Sequence, residues 1–325
     1  MWYKFMAIIA VGAILWQPTL NAQEKKRINI AHRGASGYLP EHTLQAKAMA
    51  FGQNADYIEQ DVVLSKDLVP IVVHDIHLDT VSNVAERFPE RKRDDGRFYA
   101  ADLTLAEIKS LKVNERIDLK TGKAVFEKRF PVGKSVFRIS TLVEELEMIQ
   151  GLNKSTGKNI GIYPEIKEPA WHRENGMDIS KIVLKTLADY GYSSADSKCF
   201  LQCFDAQELK RIKNELKSTL SLIQLMEGEM DLEEVAGYAK GIGPWIGQIV
   251  TGKNADGSLE LSSLVADAHA RNLLVHPYTF RVDAPIHELA PEFLLQLLFN
   301  KIGVDGIFSD FPDVSGRFLE SKFVE

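Results

Sequence analysis

Cysteine is nearly absent: Cys199 and Cys203 are the two in 325 residues. They lie four apart in the β-rich run KCFLQCF. In a strand their Cα atoms would be about 13 Å apart, beyond the ~7 Å that a disulfide tolerates. Both thiols are therefore expected to be free and buried, which argues against a thiolate metal centre. An excess of positive charge is also missing. With 39 Lys and Arg against 45 Asp and Glu, a net charge of −6, the chain has no broad cationic field to steer it toward nucleic acid or anionic lipid. Any anion site must be local. Long apolar runs are missing as well. The single concentrated stretch, residues 5–16 behind Lys4, has the length of a secretory h-region and is too short to span a bilayer. Residues 1–22 are expected to be a signal peptide, cleaved after Ala22 and without a cysteine to accept a lipid, so that no stable membrane insertion follows its removal. No internal repeat, low-complexity tract or linker divides the remainder, so residues 27–325 are expected to form one domain.

What is present is an alternation of short β-rich runs with amphipathic helical stretches, the pattern of parallel βα units. Eight runs qualify, at residues 27–32, 57–62, 160–166, 199–203, 220–225, 241–245, 273–276 and 304–309. The expected fold is α/β, a (β/α)8 TIM barrel, which commonly occupies a chain of this length. A ninth run at residues 69–74 follows the second after only the turn SKDL. A parallel neighbour needs a crossover of roughly a dozen residues, so this run must return as the antiparallel arm of a β-hairpin. Residues 76–157 are too long for one connection. They are charge-rich, carry the turn signals KTGK and PVGK, and hold helical stretches at 103–111 and in TLVEELEMIQGL. They read as an ordered insertion over one barrel mouth.

The chemistry-bearing residues collect at strand C-termini. The first run ends in AHRGASG, where His32 and Arg33 emerge at a glycine-bearing turn and the next helix is expected to turn its positive N-terminus to the same mouth, making a phosphate-sized anion site. In YIEQDVVL, Glu59 and Asp61 are two apart and so share one side of a strand, flanked by apolar residues. Two adjacent buried carboxylates need a cation. IVVHD ends the hairpin arm with His74, and GIYPEIK ends its strand with Glu165 and Lys167, again on one side. Glu59, Asp61 and Glu165 form an all-oxygen trianionic set suited to a hard divalent cation, Ca²⁺ or Mg²⁺, and unlike a zinc site. Spacing does not choose between the two ions. Trp171, His172, Tyr278 and Phe280 read equally as mouth-lining or as packing aromatics. His42 and Thr43 read as capping or packing groups, His276 as a strand-end residue near the mouth, Asp310 and Asp313 as residues ordering the last loop, and His77, His269 and His287 as ordinary surface histidines.

Taken together, HRGASGYLPEHT, YIEQDVVLSKD, VVHD, GIYPEIK, LQCFDAQELKRIKNEL, HPYTFR and DGIFSDFPD resemble the periplasmic glycerophosphodiester phosphodiesterases, in order and almost to the C-terminus. The resemblance implies a TIM barrel in the periplasm that hydrolyses small-molecule glycerophosphodiesters to sn-glycerol 3-phosphate and an alcohol. It implies His32 and His74 as the acid/base pair, Glu59, Asp61 and Glu165 as ligands of a divalent cation, Ca²⁺ first and Mg²⁺ second, and Arg33 as a phosphate contact, with Lys167 in position to do the same. Two other readings compete. A phospholipase acting on intact lipid would want a basic amphipathic helix or exposed aromatics on a loop, and neither is evident. A binding protein on the same barrel would have lost a catalytic element, and all are present.

Overall fold

The computed structural model describes residues 27–321; the expected signal peptide lies outside them. Twelve strands are formed among the described residues: β1 (Ile28–Ala31), β2 (Tyr57–Leu64), β3 (Pro70–Val72), β4 (Ser140–Thr141), β5 (Gly161–Ile166), β6 (Phe200–Cys203), β7 (Ser221–Met226), β8 (Gly241–Pro244), β9 (Val250–Lys253), β10 (Leu259–Leu261), β11 (Leu274–Val275) and β12 (Gly306–Ser309). Eight of them run in the order β11-β8-β7-β6-β5-β2-β1-β12, and every neighbouring pair along that path is parallel. The path closes on itself. β12 pairs with β1 on one side, Ile28 opposite Gly306. On its other side Asp305 N bonds Val275 O at 3.0 Å, Phe308 N bonds Pro277 O at 3.0 Å and Phe280 N bonds Phe308 O at 2.8 Å. Closure leaves no edge strand in the barrel. β3 returns antiparallel to β2, and β4 adds antiparallel to β3, so the hairpin arm is as expected.

Apolar side chains divide by the face they leave. Ile30, Tyr163, Ile223 and Phe308 point into the barrel, where Phe200 packs against Tyr163 at a ring separation of 5.2 Å. Outward residues such as Ile58, Val62, Ile162 and Leu201 meet the surrounding helices in the main core. One of these helices, Leu142–Thr156, begins at a capping box in which the Thr141 side chain accepts from Glu144 N and Glu144 accepts from Thr141 N. The chain between β3 and β4 builds a separate core, with Leu78, Leu103, Ile108 and Phe137 packed on Val63 and Ile71 of the hairpin. Truncating a buried leucine there, Leu103→Ala, would cost roughly 2–5 kcal/mol.

His276 departs from expectation. The seventh barrel strand runs on past it to Phe280 through the bonds to β12, so His276 sits inside the barrel and not at the mouth, with Nδ1 2.9 Å from the Tyr163 hydroxyl. Both cysteines are free and buried. Among the described residues no helix is long and apolar enough to cross a membrane.

Candidate active site

β1 delivers His32, Arg33 and Gly34 into a turn that no ordinary helix or strand permits. Arg33 has φ +58° and Gly34 φ +89°, and a Cβ on Gly34 would lie 2.8 Å from the Ala46 carbonyl carbon. Only glycine lets the chain bend this closely over the following helix. The bend aims Arg33 N at Glu59 Oε2, 2.8 Å away, and places the guanidinium over the barrel mouth. The helix Leu44–Gly52 plays a different part from the one its position suggests. Its first turn is capped by Thr43, which accepts from Ala46 N, and it does not line the central cavity. Positive charge at the mouth comes from Arg33 and Arg281 on the cavity wall and from Lys167 beside it.

The carboxylates behave as strand alternation requires. Asp61 on β2 is in register with Glu165 on β5, and ligand oxygens of Glu59, Asp61 and Glu165 all lie within 4.8 Å of one another. Gln202 Nε2 donates to Glu59 Oε1 at 3.0 Å, and Lys167 Nζ donates to Glu165 Oε1 at 2.7 Å. Burial, and then the negative charge of Asp61, push Glu59 well above the ordinary range. Burial pushes Glu165 up to about 8, although Lys167 pulls the other way. Asp61 goes down instead: burial opposes its ionisation, but His42 and then Lys167 outweigh it. His42 Nε2 lies 2.7 Å from Asp61 Oδ2, while Oδ1 is buried without a hydrogen-bond partner among the described residues. Three crowded carboxylates with an unpartnered oxygen among them fit a hard divalent cation.

Each mouth histidine is held at one nitrogen by a carboxylate. His32 Nδ1 lies 2.5 Å from Asp310 Oδ1, and His74 Nδ1 lies 2.6 Å from Asp75 Oδ1. Both Nε2 atoms are thereby left for chemistry, that of His32 lying 3.8 Å from Glu59 Oε2. Burial and the neighbouring Arg33 charge lower His32 to about 4 against the pull of Asp310; desolvation, Arg33 and Lys167 lower His74 as well. The cavity enclosed by these groups has a volume of about 260 Å³, and Phe204, Leu225, Trp245 and Tyr278 also line it.

A family model for the glycerophosphoryl diester phosphodiesterase family matches residues 32–314. The chain belongs to this family. It is 44% identical to a glycerophosphodiester phosphodiesterase of Haemophilus influenzae, over 92% of each chain, and 37% identical to one of Treponema pallidum, over 90% of this chain and 92% of the other. Its fold is similar to that of an Oleispira antarctica phosphodiesterase solved in complex with the product sn-glycerol-3-phosphate, with a TM-score of 0.61, 21% identity and coverage of 90% and 96%.

Within this phosphodiesterase six of the seven residues singled out in the sequence line one cavity at the mouth. Lys167 alone is set to the side, lining an adjoining cavity of about 480 Å³ that shares His74, Phe204 and Tyr278. Several partners went unread. Asp310 is not merely a loop residue, since besides His32 it accepts from Arg129 at 2.6 Å and from Arg281 at 2.8 Å. Arg116 donates to Glu41 at 2.7 Å and to Asp75 at 2.7 Å, and Glu41 in turn accepts from Arg33 at 3.0 Å. The chain between β3 and β4 thus supplies the two arginines, Arg116 and Arg129, that hold the carboxylates behind both histidines. Trp171 proves to be packing: it stacks on Tyr99 at 5.4 Å, and buried His172 accepts from Leu64 N at 3.2 Å. Phe280 is likewise fully buried, whereas Tyr278 lines the cavity and donates to Met226 O at 2.9 Å.

Proposed function

We propose that this family member hydrolyses glycerophosphodiesters to sn-glycerol 3-phosphate and an alcohol, with Glu59, Asp61 and Glu165 holding a divalent cation, Ca²⁺ before Mg²⁺, and with His32 and His74 moving the protons. The observation that carries the reading is the convergence of both Asp–His pairs and the carboxylate triad on one cavity. The bound cation would supply a Lewis acid for a phosphoryl oxygen. Arg33, which lines the cavity, binds the phosphate, and Lys167 reaches it from the adjoining cavity; both offset charge that builds on oxygen. Because Nδ1 of each histidine is tied to an aspartate, the transfers occur at Nε2. One imidazole accepts the proton of the attacking hydroxyl as its oxygen bonds to phosphorus. The other, as imidazolium, donates a proton to the alcohol oxygen as the second P–O bond breaks. With water as the nucleophile this yields glycerol 3-phosphate directly; with the substrate's own glycerol hydroxyl it yields a cyclic phosphate, which water opens as the two histidines exchange roles. The identity of the Haemophilus relative and the product named for the Oleispira protein support this chemistry. The leader pattern in residues 1–22 supports export to the periplasm.

Glycerophosphocholine cleavage should vanish in excess EDTA and return with Ca²⁺ or, less well, Mg²⁺. Full activity in the chelator would remove the cation from the reading. Bis(p-nitrophenyl) phosphate, which lacks glycerol, should be a poor substrate. Faster cleavage of phosphatidylcholine than of glycerophosphocholine would move the enzyme to intact lipid.

A further inference from the structure

Behind the carboxylates lies a polar cluster closed off from water. Lys47 is fully buried in the helix Leu44–Gly52, whose other buried residues are Ala46, Ala50 and Phe51. A lone ammonium there would be strongly disfavoured. Glu145, equally buried, compensates it, with Oε2 3.2 Å from Lys47 Nζ and Oε1 accepting from Ser140 Oγ at 2.7 Å. Lys47 Nζ also donates to the Glu59 carbonyl and stands 3.2 Å from Nδ1 of His42.

That last contact has only one sense. An ammonium carries donors and no acceptor, so His42 Nδ1 must present its lone pair. The single proton of neutral His42 then resides on Nε2, which faces Asp61 Oδ2 at 2.7 Å. Asp61 is gripped at Oδ2, and its unpartnered atom is Oδ1. The opposite tautomer would set two lone pairs against each other across the same 2.7 Å.

We propose that Lys47, braced by Glu145, fixes His42 in the tautomer that donates to Asp61 and thereby leaves Asp61 Oδ1 free and oriented for the divalent cation. Lys47, Glu145 and His42 are positioning residues, since none lines the cavity. The proposal rests on the reading of Glu59, Asp61 and Glu165 as the cation's ligands. Outer partners of this kind contribute roughly 10–100-fold to metal affinity.

Two measurements test it. In protein labelled with ¹⁵N-histidine, NMR should show His42 with its proton on Nε2 and a non-protonated Nδ1 at neutral pH. A proton on Nδ1, or an imidazolium, overturns the proposal without any variant having to fold. Calorimetric titration with Ca²⁺ then follows the network's contribution. The pair Lys47→Met with Glu145→Gln, which removes both charges together, should raise the Ca²⁺ Kd roughly 10–100-fold, as should His42→Leu. His42→Gln keeps an N–H within reach of Asp61 and should restore most of the affinity. Unchanged binding in the charge-removed pair, or equal losses for His42→Leu and His42→Gln, overturns the relay. Glu59→Gln serves as the ligand control. A wild type that binds neither Ca²⁺ nor Mg²⁺ overturns the ligand reading itself.

Discussion

The two histidines at the mouth have nearly the same local geometry and different surroundings. His32 and Asp310 are at strand ends of the barrel wall, their side chains 9% and 1% exposed. His74 and Asp75 lie on the rim, 29% and 27% exposed. The Asp310 behind one imidazole is gripped from both layers, by Arg281 on the cavity wall and by Arg129 of the chain between β3 and β4. The other is held by the chain between β3 and β4, through Arg116. The carrier in the wall is thus buried and gripped from two sides, and the one on the rim is partly solvated and gripped from one. The same Asp–His contact should therefore fail in different ways on the two sides.

The largest effects come from the imidazoles themselves. His32→Ala and His74→Ala should each lower kcat by roughly 10²–10⁴, with the double variant losing less than the product because both act in one transition state. A substrate with a strongly acidic leaving alcohol should rescue the variant lacking the acid and leave the other unrescued; equal rescue would put the acid and base roles elsewhere.

The aspartates separate the two sides next. Asp310→Asn removes a fully buried anion that Arg281 and Arg129 both contact, leaving Arg129 with Asp283, and should cost roughly 3–5 kcal/mol of stability. Asp75→Asn, partly solvated, should cost about 1 kcal/mol. Urea unfolding of the two variants measures the difference, and equal losses would erase the contrast between wall and rim.

Acid reports on the wall as well. His32 is lowered from 6.5 to about 4 by burial and by Arg33, so the unfolded chain takes up its proton first as pH falls. Its contribution is fully present above pH 6.5 and should be lost between 6.5 and about 4, on the order of 3 kcal/mol in the metal-free protein. His32→Gln should flatten that part of the stability curve; an unchanged slope would assign the loss to other groups. The smallest effect belongs to the rim. Arg116→Lys keeps the charge but cannot span Glu41 and Asp75 together, and should cost kcat several-fold, about 1 kcal/mol, with KM little changed.

Strand periodicity made much of this visible in advance. Alternation alone put Glu59 with Asp61 and Glu165 with Lys167, and the shortness of SKDL required the antiparallel arm. What stayed hidden was every interaction whose partner is far along the chain. Asp310 looked like a loop residue because its partner His32 is 278 residues away, and no local pattern encodes that distance. His42 looked like a cap because it adjoins Thr43, which is one; its contact with Asp61 arises from how a helix start packs on a strand. Arg116 and Arg129 were two charges among many in a charged stretch. Lys47 drew no notice, since burial of a lysine is legible only once its acid is in place. The position of the helix start after the Arg33 turn suggests an anion cradle, whereas Thr43 caps its Ala46 N–H and the helix does not line the central cavity.

Closure of β1 on β12 sets the order of synthesis against the order of assembly. Both histidines and all three carboxylates have been made by the time Glu165 is reached, yet at that length the acceptor for His32, the Arg281 on the cavity wall and the strand that seals the first one are still to come. Contacts of such long range form late and slow a fold whose other pairings are mostly between neighbours. A chain stopped before Gly306 would contain both imidazoles and all three proposed cation ligands while lacking Asp310 and the strand that aims them. The last strand and the turn after it thus act as the completion step of a machine whose working parts are synthesised first.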